Sequence, residues 1–209
     1  MTPPDIFREV ETFSVANGHP LTTLCDLHSA CRPQKGRAYM CGMRGLSTPV
    51  IDFDEVKTAA DRQAMLPARK SVDVLALPPS HTSLCFVELK SWELHLQHHG
   101  TPEEITGQAR KYESALPLKL TDSLAICRQI TGDPATFDGC RVIFALVTDI
   151  NVHTDGLMAF KTNMDALAGA SSNLHKLCNK LSQGALSRIS GIETRYWECR
   201  DFDRKIATL

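Results

Sequence analysis

Two carboxylates and a lysine are the residues of this sequence whose types and spacing suggest chemistry. Asp73 lies in the apolar run Val72–Leu77, and Glu88 and Lys90 end a second apolar run that follows a proline-containing turn. Carboxylate oxygens are ligands that suit Mg²⁺. A bound ion of this kind polarises a phosphoryl oxygen and generates hydroxide from water. The set therefore predicts a metal site able to hydrolyse a phosphodiester.

The two apolar runs predict a β-hairpin that brings these side chains together. If its turn centres between residues 80 and 81, Asp73 lies directly opposite Glu88, with Cβ atoms roughly 5 Å apart. A divalent cation would remove the repulsion between two facing carboxylates. Alternation along a strand places Glu88 and Lys90 on one face, where Lys90 would assist the attacking water or neutralise phosphate charge. The other face would carry Cys85, Val87 and Leu89.

A helix is predicted directly after this hairpin. Thr101 is a typical N-cap, with proline next and a glutamate three residues on, and the helix is expected to continue to about Leu116, before Pro117. Gln108 and Tyr112 lie one turn apart on its sheet-facing stripe. Their amide and phenol groups would hold a metal-bound water or a nucleotide.

Asp73, Glu88-Leu89-Lys90 and the Gln108-to-Tyr112 element together resemble the PD-(D/E)xK nuclease superfamily, and the Q-x-x-x-Y spacing is similar to its RecB-like and Cas4-like branch. The resemblance covers residues 71–112 and the strand at 141–149. It implies that Asp73 and Glu88 bind Mg²⁺ or Mn²⁺, that Lys90 is catalytic, and that Gln108 and Tyr112 line the site.

The sequence departs from the superfamily pattern in three ways. No proline immediately precedes Asp73. The acidic residue usually carried by the first helix has four candidates: Glu9, Glu11, Glu55 and Asp61. The first strand of the core has little room before Val72, so it lies at about Ala38–Met43 or is missing.

The expected fold class is α/β, with a mixed central sheet flanked by helices. It would be a restriction-endonuclease-like core with an irregular Cys/His-containing N-terminal insertion. Hydrophobic periodicity and turn residues predict helices at 4–13, 52–66, 101–116, 124–130 and 158–186. The same signals predict strands at 72–77, 84–92, 141–149 and 194–199.

The segment 17–49 is rich in glycine, proline, cysteine and histidine, and is a candidate inserted subdomain. Cys25, His28, Cys31 and Cys41 are candidate zinc ligands, because zinc takes four N or S ligands and would order an unsupported loop. The alternative is buried thiols and a surface histidine without metal. Iron–sulfur ligation, which occurs in the Cas4-like branch, fits poorly because three cysteines here lie upstream rather than one.

Composition places the chain among ordinary globular proteins. Apolar residues form 43% and charged residues 22% of its 209 residues, so we expect a single nuclease-like domain over residues 1–209. No run of 18 apolar residues occurs, so no membrane contact is expected. Eight cysteines without an export signal predict a cytoplasmic protein with reduced thiols.

The formal net charge of −1 provides no global basic field for DNA. By analogy with the superfamily, we expect a protein partner, such as an ATPase or a DNA-binding subunit, to deliver substrate in DNA restriction, repair or antiviral defence. Two other functions stay open: a catalytically inactive nuclease-fold scaffold, and a zinc-stabilised interaction module. The choice between DNA and RNA, and between endo- and exonuclease action, also stays open.

Overall fold

The chain folds around a mixed β-sheet. A computed structural model describes residues 1–27, 45–92, 95–96, 101–150 and 171–209. Within them the sheet has five strands, which lie side by side in chain order. They are β1 (Val50–Asp52), β2 (Val74–Ala76), β3 (Ser83–Lys90), β4 (Arg141–Thr148) and β5 (Glu193–Glu198). The β1–β2 and β2–β3 pairs are antiparallel, and the β3–β4 and β4–β5 pairs are parallel. The predicted α/β class and mixed sheet are confirmed.

Helices cover both faces of this sheet. The described helices are α1 (Pro3–Ala16), α2 (Phe53–Ala64), α3 (Pro102–Thr131), α4 (Ser171–Leu186) and α5 (Phe202–Ile206). The first four contribute to one core with Leu75, Phe86 and Phe144 of the sheet. The opposite face packs against α5 and the short 3₁₀ turn Leu24–Asp26. No helix among the described residues is long and apolar enough to cross a membrane.

The hairpin between β2 and β3 has the predicted register. Val74 pairs with Val87, and Ala76 pairs with Cys85. One residue earlier, the Asp73 amide donates to the Val87 carbonyl at 3.1 Å, so Asp73 enters the sheet beside Glu88. Because the register holds, the predicted assignment of side chains to the two faces holds with it.

The prediction that a helix ends at Leu116 and another begins near residue 124 is wrong. A single helix, α3, runs from its Thr101 capping box to Gly132 and passes through Pro117. Proline in a helix interior removes a backbone donor and crowds the preceding turn, at a cost of about 3 kcal/mol, and the burial on either side of Pro117 offsets this cost. Leu116, Leu120 and Ile126 are all buried in the main core, and this burial keeps the helix continuous.

The sequence did not predict the strand that pairs with β2 on its other side. The strand that pairs with β2 is Val50–Asp52, directly before α2; the segment expected to hold it, Ala38–Met43, lies outside the described residues. With only three residues, β1 has too few for alternation to be visible. Its last residue, Asp52, also caps α2 by accepting a hydrogen bond from the Glu55 amide at 3.3 Å.

The strands β4 and β5 lie where they were predicted. β4 lies between β3 and β5 and is buried on both faces over most of its length, as expected for an interior strand. β5 is an edge strand, as predicted. Of the helical segment expected at 158–186, the structure describes Ser171–Leu186 as helix, and residues 158–170 lie outside the described part of the chain.

Candidate active site

Asp73 and Glu88 lie together on the sheet face that α1–α4 cover. Glu88 follows Phe86 by one side-chain repeat of β3, and Asp73 precedes Leu75 by one repeat of β2. Glu88 is 3% exposed, and 13% of the Asp73 side chain is exposed. The structure therefore brings the two predicted metal ligands into one largely buried place.

The cation between these carboxylates is a residue that sequence reasoning missed. The Lys119 ammonium donates to Glu88 Oε1 at 2.6 Å and lies 4.0 Å from Asp73 Oδ1. Lys119 belongs to α3 and lies seven residues after Tyr112, so it occupies the same stripe two turns on. The spacing was visible in the sequence, but the helix was expected to end before this residue.

A backbone hydrogen bond fixes the orientation of Asp73. Its second oxygen, Oδ2, accepts from the Leu89 amide at 2.6 Å, while its own backbone carbonyl accepts from the Phe53 amide at 3.0 Å. The first residue of α2 and the end of β3 are therefore both tied to this aspartate. Oδ1 is left facing the Lys119 ammonium.

Burial disfavours the ionised forms of both carboxyl groups. Burial raises the pKa of Asp73 to about 6, although Lys119 and the Leu89 amide act in the opposite direction. Burial and the neighbouring Asp73 raise the pKa of Glu88 well above its ordinary value. Burial by itself lowers the pKa of Lys119, but Glu88 and Asp73 outweigh it and raise that pKa. A neighbouring cation favours the ionised form of each carboxyl group.

Two polar atoms at the site are buried without a hydrogen-bond partner among the described residues: Glu88 Oε2 and the Tyr112 hydroxyl. Burial, followed by the proximity of Glu88 and Asp73, raises the pKa of the Tyr112 phenol well above its usual range. Buried polar atoms are normally paired. A side-chain interaction with Glu88 is also among the causes of the Tyr112 shift, so the phenol and the Glu88 carboxylate lie next to each other at the site.

Lys90 lies at the edge of this group rather than at its centre. Its ammonium packs over the rings of Trp92 and Tyr112, at 4.9 and 5.1 Å from their centroids. Burial lowers its pKa, although nearby Glu88 acts in the opposite direction. Gln108 is half-buried one turn before Tyr112, and its side chain makes no hydrogen bond among the described residues.

The position of Lys90 depends on a hydrogen-bonded clamp at the ends of β3 and β4. Asp149 accepts from the Ser91 hydroxyl at 2.5 Å and from the Trp92 amide at 2.8 Å. The Trp92 indole N–H donates to the Ser182 hydroxyl on α4 at 2.8 Å. The ring against which Lys90 lies is thus held from two sides. In the sequence, Asp149 appears only as the polar end of a strand, so nothing marked this role.

The candidates for an additional acidic residue lie elsewhere or have other partners. Asp61 pairs with Arg69 at 2.5 Å, and Glu55 lies 3.6 Å from His19. The acids that act on Asp73 are instead Asp54 and Asp52, both of which raise its pKa. Neither was among the four candidates: Asp52 ends the unpredicted strand β1, and Asp54 lies in the first turn of α2.

The donor set fits Mg²⁺ or Mn²⁺. Asp73 and Glu88 would be the protein ligands; within the described residues no cluster of three or more His, Cys, Asp or Glu side chains is arranged to hold an ion. Mg²⁺ commonly binds through one or two carboxylates and keeps several waters. The unpaired Glu88 Oε2 provides a hard oxygen donor for such an ion.

The candidate zinc site falls almost entirely outside the described residues. His28, Cys31 and Cys41 belong to the undescribed segment. Cys25 is described and is 1% exposed, next to the core on the face away from Asp73 and Glu88. Zinc binding stays a prediction.

Comparison with known proteins adds no constraint. No family model, no curated protein and no solved structure matches the chain. The function must therefore be argued from the geometry of the site.

Proposed function

We propose that the protein is a metal-dependent nuclease that hydrolyses DNA phosphodiester bonds, with Asp73 and Glu88 as the ligands of Mg²⁺ or Mn²⁺. The observation that carries the proposal is their convergence, from neighbouring strands, on one Lys119 ammonium. Two carboxylates placed together in a core are costly unless a cation compensates them. The buried pair of carboxylates can therefore serve as a binding site for a cation.

The bound ion would activate water and stabilise charge on the phosphate. Asp73 is oriented for binding by the Leu89 amide, and Glu88 offers its unpaired Oε2. The Lys90 ammonium has no carboxylate partner among the described residues, so it is available to a phosphate oxygen. The Tyr112 hydroxyl, also unpaired there, can donate to a water or to substrate.

The order of elements supports the resemblance to the PD-(D/E)xK superfamily. The helix α1, the antiparallel strands β1 to β3, the helix α3 and the parallel strand β4 follow in the expected sequence. The helix α2 between β1 and β2 is an addition to that pattern. DNA as the substrate, a partner that delivers it, and a role in restriction, repair or defence rest on this resemblance.

Cleavage assays with a matched pair of variants test the proposal. Plasmid, linear duplex and single-stranded DNA, with RNA alongside, are incubated with Mn²⁺ or with a chelator. We expect cleavage that requires Mn²⁺ and falls roughly a thousandfold in Glu88→Gln, because a lost Lewis acid costs several kcal/mol. Glu193→Gln is the control: Glu193 lies at the opposite end of the sheet, paired with Arg141 and Arg195. Equal cleavage by the wild type and Glu88→Gln would contradict the proposal.

One observation favours a second function, that of an inactive nuclease-fold scaffold. Lys119 already supplies a compensating charge to Glu88, and a chain that had lost its metal would need such a cation. Calorimetric titration with Mn²⁺ separates the two functions. Binding that disappears in Glu88→Gln supports the nuclease, whereas the absence of binding in the wild type supports the scaffold.

A further inference from the structure

Lys119 occupies the place where a metal ion would meet both carboxylates. Its ammonium is 2.6 Å from Glu88 Oε1 and 4.0 Å from Asp73 Oδ1. We propose that Lys119 is an internal counter-cation that a divalent metal displaces, so that the metal-free and metal-bound states exchange one cation for another. The inference rests on the proposed metal site at Asp73 and Glu88.

The two cations cannot share the position. Asp73 Oδ1, the oxygen that the Leu89 amide leaves open, faces the Lys119 ammonium. Because Mg²⁺ binds carboxylate oxygens at about 2.0–2.1 Å, an ion bound to Asp73 Oδ1 and to either oxygen of Glu88 would lie close to the ammonium. Like charges also repel strongly at such a separation where water is scarce. Entry of the metal therefore requires the ammonium of Lys119 to withdraw from between Glu88 and Asp73.

The position of Lys119 on α3 permits this withdrawal. Its side chain is 24% exposed, against 3% for Glu88, so the lysine reaches into the site from the solvent side. Lysine has a flexible four-carbon stem and a strongly hydrated charge, so its ammonium can move to water without any change in the helix. Glu88 lies within a paired strand, flanked by β2 and β4, and its backbone has no comparable freedom.

The exchange has two consequences. The carboxylate pair is compensated before metal arrives, so the chain can fold without metal. Metal affinity is lower than the carboxylates alone would give, because the ion must first displace the lysine. Lys119 would thereby set the metal concentration at which the site fills.

Mn²⁺ affinity, measured by calorimetry on the full chain, tests the inference with four proteins: wild type, Lys119→Met, Lys111→Met and Glu88→Gln. Lys111 is exposed on the same helix and has no ion pair among the described residues, so Lys111→Met controls for loss of a positive charge. We expect Lys119→Met to bind Mn²⁺ at least tenfold more tightly than wild type, Lys111→Met to equal wild type, and Glu88→Gln not to bind. Thermal unfolding in chelator should show a lower Tm for Lys119→Met than for wild type, with a larger rise on adding Mn²⁺.

The outcomes separate this inference from the proposed function. If Lys119→Met binds Mn²⁺ no more tightly than wild type while Glu88→Gln loses binding, the exchange is refuted and the metal site stands. If neither wild type nor Lys119→Met binds Mn²⁺, both ideas are refuted. Should Lys119→Met fail to fold without metal, Lys119→Gln removes the charge but keeps a donor for Glu88; tighter binding by this variant supports the exchange, and equal or weaker binding overturns it.

Discussion

The two faces of the sheet are built from the same strands, but only one of them buries carboxylates. One face carries Val87 and Leu89 in a mainly apolar cluster that packs against α5 and the turn at Leu24–Asp26. The other face carries Glu88 and Lys90 at alternating positions of the same strand, next to Asp73. Both faces are covered, so exposure to solvent does not explain the difference.

What distinguishes the faces is the element that covers the end of β3. On the Glu88 side, α3 contributes Lys119 and Tyr112, which bring a cation and a hydroxyl to the carboxylates. On the Val87 side, the neighbouring residues include Ala145, Trp197 and Phe202, which provide no charge. Buried carboxylates are retained only where a neighbouring element compensates them, and this is where the chain has its candidate site.

The largest effect is expected from placing a carboxylate on the apolar face. Val87→Glu would bury a charge without a partner, and we expect the free energy of unfolding to fall by about 5 kcal/mol. Urea denaturation followed by circular dichroism measures the loss. Val87→Thr is the control of matched shape, with an expected loss of about 1–3 kcal/mol from its hydroxyl. A Val87→Glu protein as stable as wild type would show that the two faces do not differ in this way.

The next effect concerns the ligand that faces Glu88. Asp73→Asn keeps an acceptor for the Leu89 amide but removes a negative ligand, so we expect an unchanged fold and about a 100-fold loss of Mn²⁺-dependent cleavage, equivalent to ~3 kcal/mol. Cleavage rates measured at several Mn²⁺ concentrations check this. An equal loss of stability and activity would instead identify Asp73 as a purely structural residue.

A double substitution would replace the buried Glu88–Lys119 ion pair of the helix-covered face by apolar side chains. Replacing a buried ion pair by apolar side chains is often neutral or stabilising. We therefore expect Glu88→Leu with Lys119→Leu to abolish cleavage while leaving stability equal to wild type or about 2 kcal/mol higher. Thermal and urea unfolding measure this, with Lys119→Leu alone as the less stable comparison. A marked loss of stability in the double variant would mean that the ion pair holds the fold together.

The smallest effect on stability is expected from a substitution in α5, which covers the apolar face. Asp203 of α5 accepts hydrogen bonds from the Ser47 and Thr48 amides at 2.7 and 3.2 Å. Partial burial raises its pKa, but these hydrogen bonds outweigh burial and lower it. Asp203→Asn should therefore cost about 1 kcal/mol at neutral pH. Because the folded pKa is lowered, the difference from wild type should shrink as the pH falls below about 4. Urea denaturation at pH 7 and pH 3 tests this, and a difference independent of pH would contradict it.

The parts of the site that could be predicted are those that depend on local pattern. The turn before β3 and the alternation of its residues predicted both the register and the faces of Glu88 and Val87, and the structure has them so. The capping box at Thr101 predicted where α3 begins. The continuation of α3 through Pro117 was not predicted, because the burial that outweighs a proline is a property of the packed core.

Because the helix was predicted to end at Leu116, Lys119 was not recognised as the residue that contacts both carboxylates. It lies on the same helical stripe as Tyr112, but only a helix that continues past Pro117 connects the two. The role of Asp149 was not predicted for a different reason: its hydrogen bonds to Ser91 and Trp92 join the ends of two strands. No spacing within either strand reveals that contact.

Sequence alone determined the α/β class, the hairpin and the face on which Asp73, Glu88 and Lys90 lie, since a period of two residues decides these features locally. Tertiary structure decided which cation contacts the carboxylates, where the first strand lies and how far α3 extends. These outcomes depend on burial and charge compensation between segments distant along the chain, and such energies exist only once the segments are packed together.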